Sequence, residues 1–120
     1  MTDKRWAAEV RIMHKYFPYF RPFWTEKGIA GFEGTLLGRS GTTYTVRIAV
    51  RESFYPCVVP RVFISPGVRP YIEPDGALSF FCRWRPDRST FALVTLCALR
   101  YLQTYDGADD ATSQTEKRND

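Results

Sequence analysis

Tyr55-Pro56-Cys57-Val58-Val59-Pro60-Arg61-Val62-Phe63-Ile64 is the stretch whose reading decides the fold. Each proline fixes φ and removes a backbone donor, so the segment is excluded from the middle of a helix or a sheet. The residues before the prolines are pushed toward extended geometry as well. The stretch therefore reads as a turn that stops one strand and starts another, with Tyr55 packing the corner and Arg61–Ile64 forming a β-branched strand.

Upstream of the turn, Tyr44, Val46, Ile48 and Val50 alternate with smaller or polar residues, the period of a half-buried strand over about Thr42–Arg51. Gly38-Arg39-Ser40-Gly41 supplies a hairpin turn to a preceding strand at Gly31–Leu37, its glycines tolerating positive φ. Phe23–Lys27 reads as a further strand, after Pro18 and Pro22 have broken the helical pattern. Before them, Trp6, Val10, Met13 and Phe17 recur at spacings of four, three and four, and Lys4, Arg11 and Lys15 take another face. That pattern predicts a helix over Asp3–Tyr16.

Downstream, Ser65–Arg88 holds four prolines, two glycines and no lasting period. A loop this long in a small domain is usually functional. A second helix starts near Ser89 or Thr90, either of which can cap it, and places Phe91, Val94, Cys97 or Ala98, Tyr101 and Leu102 on one face. The fold class is α+β: an N-terminal helix, a four-stranded antiparallel meander, a long loop and a C-terminal helix.

A chain of 120 residues that is 44% hydrophobic and 16% aromatic buries one core, so a single domain over residues 1–106 is expected. No run reaches the apolar length of a membrane span, and the charged start leads into no secretory apolar run, which makes the expected location cytoplasmic. Three cysteines without a Cys-x-x-Cys pair signal neither a disulfide framework nor a zinc site, and His14 is the single histidine. No cofactor or metal is expected. Five acids against two bases between Asp106 and Asp120 leave about +7 on the rest of a chain whose net charge is +4. Residues 107–120 lack the apolar content that offsets ordering entropy, and read as a disordered polar tail.

The order of elements, the Tyr55-Pro56-x-x-x-Pro60 turn and Trp84-x-Pro86 before the second helix resemble the catalytic core of ubiquitin-conjugating enzymes, the UBC fold, over roughly Trp6 to Tyr105. In that family a His-Pro-Asn motif precedes the active cysteine. With Pro70 on that proline, Arg69 falls on the histidine, Tyr71 on the asparagine, Gly76-Ala77-Leu78 on the approach, and Ser79 on the cysteine. The resemblance implies a crossover role for the second helix and an active-site loop between Ser65 and Arg88. The passage from that helix into the polar tail is most similar to minimal bacterial relatives found in conjugation operons of antiviral defence, CBASS-type systems among them.

Serine at position 79 changes the chemistry the family would lend. A thiolate forms a labile thioester near neutral pH, whereas a hydroxyl ionises far less readily and needs an adjacent base. A natural serine reads as an inactive variant, and an engineered one as a trap that forms a stable oxyester. Trp84 follows Ser79 at an offset of only five, so the loop is remodelled relative to the family and Cys82 is an alternative acceptor; its plainer reading is a small buried hydrophobe. Cys57 and Cys97 read as core. Tyr71 is either a hydrogen-bond donor to the reacting carbonyl or an aromatic packed under the loop, and Asp75 either a turn residue or a carboxylate that orients an incoming lysine. Trp84 reads as core.

By resemblance, the partners are an activating enzyme, docking on the Lys4, Arg11 and Lys15 face, and a ubiquitin-like modifier or its target protein. The plain reading of those charges is the solvated side of a helix. An inactive, RWD-type protein-binding module shares the fold and is the alternative. No membrane partner is expected, and nucleic-acid binding finds no supporting motif or basic run.

Overall fold

In a computed structural model of the chain, residues 1–65, 77 and 82–106 are described, and the tail over 107–120 lies outside them. Helix α1 spans Asp3–Tyr16, capped by the Thr2 side chain, which accepts from the Arg5 amide at 3.1 Å. Four strands follow, β1 (Arg21–Trp24), β2 (Ile29–Leu37), β3 (Thr43–Arg51) and β4 (Arg61–Ser65), and helix α2 spans Phe91–Tyr105. The strands pair in chain order and every pairing is antiparallel, giving the expected meander.

The core lies on one face of the sheet, where the period-two pattern turns the even-numbered side chains of β2, β3 and β4. Phe32, Tyr44, Val46, Ile48, Val62 and Ile64 are all buried there. Both helices pack on this face. Trp6 of α1 meets Phe32 at 5.2 Å and Phe91 of α2 at 6.1 Å between ring centroids, and Met13 is buried. Phe91, Val94, Ala98, Tyr101 and Leu102 form the buried stripe of α2, and Thr90 rather than Ser89 caps it, its hydroxyl accepting from the Leu93 amide at 3.2 Å.

Three expectations require correction. Strand β1 begins and ends earlier than Phe23–Lys27, because Thr25 to Gly28 form a turn: the Gly28 amide bonds the Thr25 carbonyl at 3.0 Å, and Gly28 sits at φ +80°. Pro22 is accommodated because β1 is an edge strand. In the β2–β3 hairpin only Gly41 takes positive φ; Gly38 is needed instead for close approach, since a Cβ there would meet the Asp106 carboxylate. Asp106, counted with the acidic tail, is buried: its carboxylate accepts from the Ser40 amide at 3.0 Å and the Tyr44 hydroxyl at 2.6 Å, tying the end of α2 to the hairpin.

At the other end of the core the tie is Glu9, a fully buried carboxylate on α1. It accepts from Arg5 Nε at 3.1 Å, from the Phe91 amide at 3.1 Å and from the Tyr55 hydroxyl. One side chain thereby joins α1, the proline turn and the first residue of α2, where the helix dipole favours negative charge. Replacing Glu9 by alanine leaves the Arg5 charge and the Phe91 amide without their acceptor. The expected loss is about 3 kcal/mol of stability, read as a lower urea midpoint with unchanged slope. A loss below about 1 kcal/mol would mean that water replaces the carboxylate without difficulty.

Candidate functional site

Tyr71, Asp75 and Ser79 lie outside the described residues, so the site is built from the elements that enter and leave the loop. Its entrance is β4, which ends at Ser65. Midway, Ala77 is buried and forms an isolated antiparallel bridge with Phe63 of β4. This is the alanine of the Gly76-Ala77-Leu78 approach.

The exit is tightly specified. The Trp84 indole N–H donates to the Pro56 carbonyl at 2.7 Å, and its ring lies 5.7 Å from that of Tyr55. Trp84 is half-buried against the core, and Tyr55 is buried and stacks at 4.9 Å on Phe91. After Trp84 the backbone turns on Ser89, whose hydroxyl accepts from the Arg85 amide at 2.7 Å while its own amide bonds the Arg85 carbonyl. Arg5 closes the arrangement from α1, donating to the Ser89 carbonyl at 2.6 Å and to the Tyr55 hydroxyl at 3.1 Å. Its guanidinium stands 5.1 Å from the centre of the Tyr55 ring.

Electrostatics fix the protonation of this frame. Burial first, and then the Glu9 carboxylate, raise the Tyr55 phenol well above its ordinary value, so it remains a donor. Burial works against the Arg5 charge, but its bonds and attraction to Tyr55 and Glu9 outweigh that and raise its pKa. Arg5 and Glu9 were not singled out in the sequence. The available signal was spacing: Glu9 falls three residues after Trp6 and four before Met13, on the apolar stripe itself, with an arginine one turn earlier.

The cysteines divide differently from expectation. Cys57 is exposed rather than core, because the turn directs Tyr55 inward and leaves Cys57, Val58 and Val59 on its outer side. Cys97 is only partly buried on α2. Cys82 packs against the core, and its thiol is pushed up to about 12 by burial and by its hydrogen bond and charge interaction with Cys97. Such a thiol stays protonated near neutral pH, which works against Cys82 as a nucleophile.

Lys4, Arg11 and Lys15 are exposed along α1, and His14 is exposed beside them. Among the described residues no group of His, Cys, Asp or Glu is arranged to hold a metal, and no helix is long and apolar enough to cross a membrane. The chain matches no protein-family model, no curated protein and no solved structure. In the folded protein at pH 8, a disulfide reagent in slight excess should modify Cys57 well before Cys82, as read by peptide mass spectrometry. Equal labelling rates would mean that the Cys82 thiol is far more acidic than its surroundings make it.

Proposed function

We propose that this chain is a UBC-like protein of a bacterial ubiquitin-like conjugation pathway serving antiviral defence, with residue 79 as the position that accepts the modifier. One observation carries the reading. Tyr55-Pro56 and Trp84, the two sequence elements on which the resemblance rests, lie 28 residues apart and pack on each other, ring against ring and indole N–H to proline carbonyl. They frame the long loop between β4 and α2, on a helix, meander and helix in the same order as the family core.

In this reading the modifier arrives as a thioester on the activating enzyme. Ser79 Oγ attacks the thioester carbonyl; the new C–O bond forms, the C–S bond breaks, the serine proton passes to a base and the activating enzyme leaves as a thiolate. Tyr71 donates to the carbonyl oxygen and Asp75 orients the lysine that follows. The base is the weak point of the step, since the single histidine is on α1. That weakness, together with the suppressed Cys82 thiol, favours a second reading in which the domain binds conjugation partners without carrying a modifier.

Mixing the chain with its activating enzyme, ATP and a ubiquitin-like modifier separates the two on one gel. An adduct at Ser79 survives thiol reductant and is cleaved by hydroxide, an adduct at Cys82 is lost to reductant, and a binding module forms none. Ser79→Cys is expected to give a reductant-sensitive adduct in a Cys57→Ser background. If that variant binds the charged activating enzyme but never accepts modifier, the carrier reading fails.

Docking of the activating enzyme is assigned to the exposed Lys4, Arg11 and Lys15 face. Reversing the three charges should weaken the association about tenfold or more at low salt without lowering the urea midpoint. Unchanged binding would remove this face from the interface.

A further inference from the structure

Two of the three cysteines meet where the chain leaves the loop. Cys82 lies in a segment that belongs to no helix or strand, Cys97 lies on α2, and their side chains share a hydrogen bond. Neither is in a disulfide, and both are partly buried. The backbone that carries them is anchored close by. Shortly after Cys82 the Trp84 indole is bonded to the Pro56 carbonyl at 2.7 Å, and Cys97 stands next to Ala98, which is fully buried. A hydrogen bond leaves two sulfurs roughly 2 Å short of covalent S–S contact. Rotation of the side chains and a small shift of the irregular segment at Cys82 close that gap while α2 stays in place.

We propose that Cys82 and Cys97 are a redox pair, oxidised by a peroxide to a disulfide that clasps the exit of the loop to α2 and opened again by a thiol reductant. Burial and the bond to Cys97 hold the Cys82 proton in place, which leaves Cys97 as the sulfur that attacks first. It attacks one oxygen of the peroxide: the S–O bond forms, the O–O bond breaks, and the departing hydroxide takes up the thiol proton as water. Cys82 then attacks the sulfenic sulfur of Cys97. The S–S bond forms, the S–O bond breaks, and hydroxide leaves with the Cys82 proton as a second water. Two electrons have passed from the pair to the peroxide.

Closing the pair does two things. It withdraws Cys82 as an acceptor thiol, and it ties the chain just after position 79 to α2. The proposal rests on the two thiols and stands whether or not residue 79 accepts a modifier.

The test is oxidation of the full chain, carrying Cys57→Ser to remove the exposed thiol, with about ten equivalents of hydrogen peroxide. Remaining thiols are alkylated and the chain is digested with trypsin without reductant. Cleavage after Arg83 and Arg88 puts the two cysteines on separate peptides, so the disulfide appears as a joined pair that thiol reductant splits. A joined pair within one chain is expected as the main product, with the urea midpoint raised by oxidation and restored by reductant. In a Cys82→Ser chain Cys97 has no resolving thiol, and dimedone capture of its sulfenic acid should rise roughly tenfold. The proposal is overturned by a disulfide formed only between chains, by oxidised but unjoined cysteines, by unmodified thiols, by a urea midpoint that does not rise, or by dimedone capture that is the same with and without Cys82. The peptide mapping keeps both natural cysteines, so it decides the matter whether or not the serine variant folds.

Discussion

A carboxylate taken out of water must be met by donors on every side, and this requirement at Glu9 sets the positions of three separate elements. Removing an ion of this size from water costs several kcal/mol unless charge and hydrogen bonds replace the lost hydration. Here Arg5 supplies the charge, and the Tyr55 hydroxyl and Phe91 amide supply further donors. The three donors tie the angle of α1, the depth of the proline turn and the start of α2 to one another. The raised phenol of Tyr55 belongs to the same logic: burial and a neighbouring anion both oppose its ionisation, which keeps it a donor.

The exit from the loop inherits its geometry from this frame. Trp84 lies against Tyr55, and Ser89 and Arg5 fix the backbone that leads into α2. Between β4 and that exit the chain touches the sheet at Ala77. Nucleophilic chemistry on such a loop depends on which group loses a proton at neutral pH. Burial beside Cys97 works against that in Cys82, and a serine hydroxyl anywhere on the loop would need an adjacent base. The described frame on either side of the loop is dense with contacts.

Much of the scaffold was legible because its signals are local and repeated. Helix α1 runs over Asp3–Tyr16 as its apolar spacing requires, and β3 shows the alternation read from Tyr44 to Val50. The proline turn lies where Pro56 and Pro60 place it, with Tyr55 filling the corner. What was missed depends on partners distant in sequence. Glu9 looks like any helical glutamate until Tyr55 and Phe91 are brought to it, and Asp106 like the first acid of a polar tail until the hairpin closes over it. Cys57 was misjudged because hydrophobic type does not tell which side of a turn a residue faces. For the site itself, the motif offsets remain the guide to Tyr71, Asp75 and Ser79.

The distance along the chain between Glu9 and its partner amide has a consequence for synthesis. Phe91 is made 82 residues after Glu9, an interval of roughly eight seconds at about ten residues per second. Through that time α1 can form locally, with Arg5 and later Tyr55 to meet its carboxylate, but the Phe91 amide is still missing. Until then the set of donors that lets this carboxylate leave water is incomplete, however complete the meander is. The first turn of α2 thus favours full burial of α1, and before it exists the apolar face of Trp6, Val10 and Met13 is what a chaperone would meet.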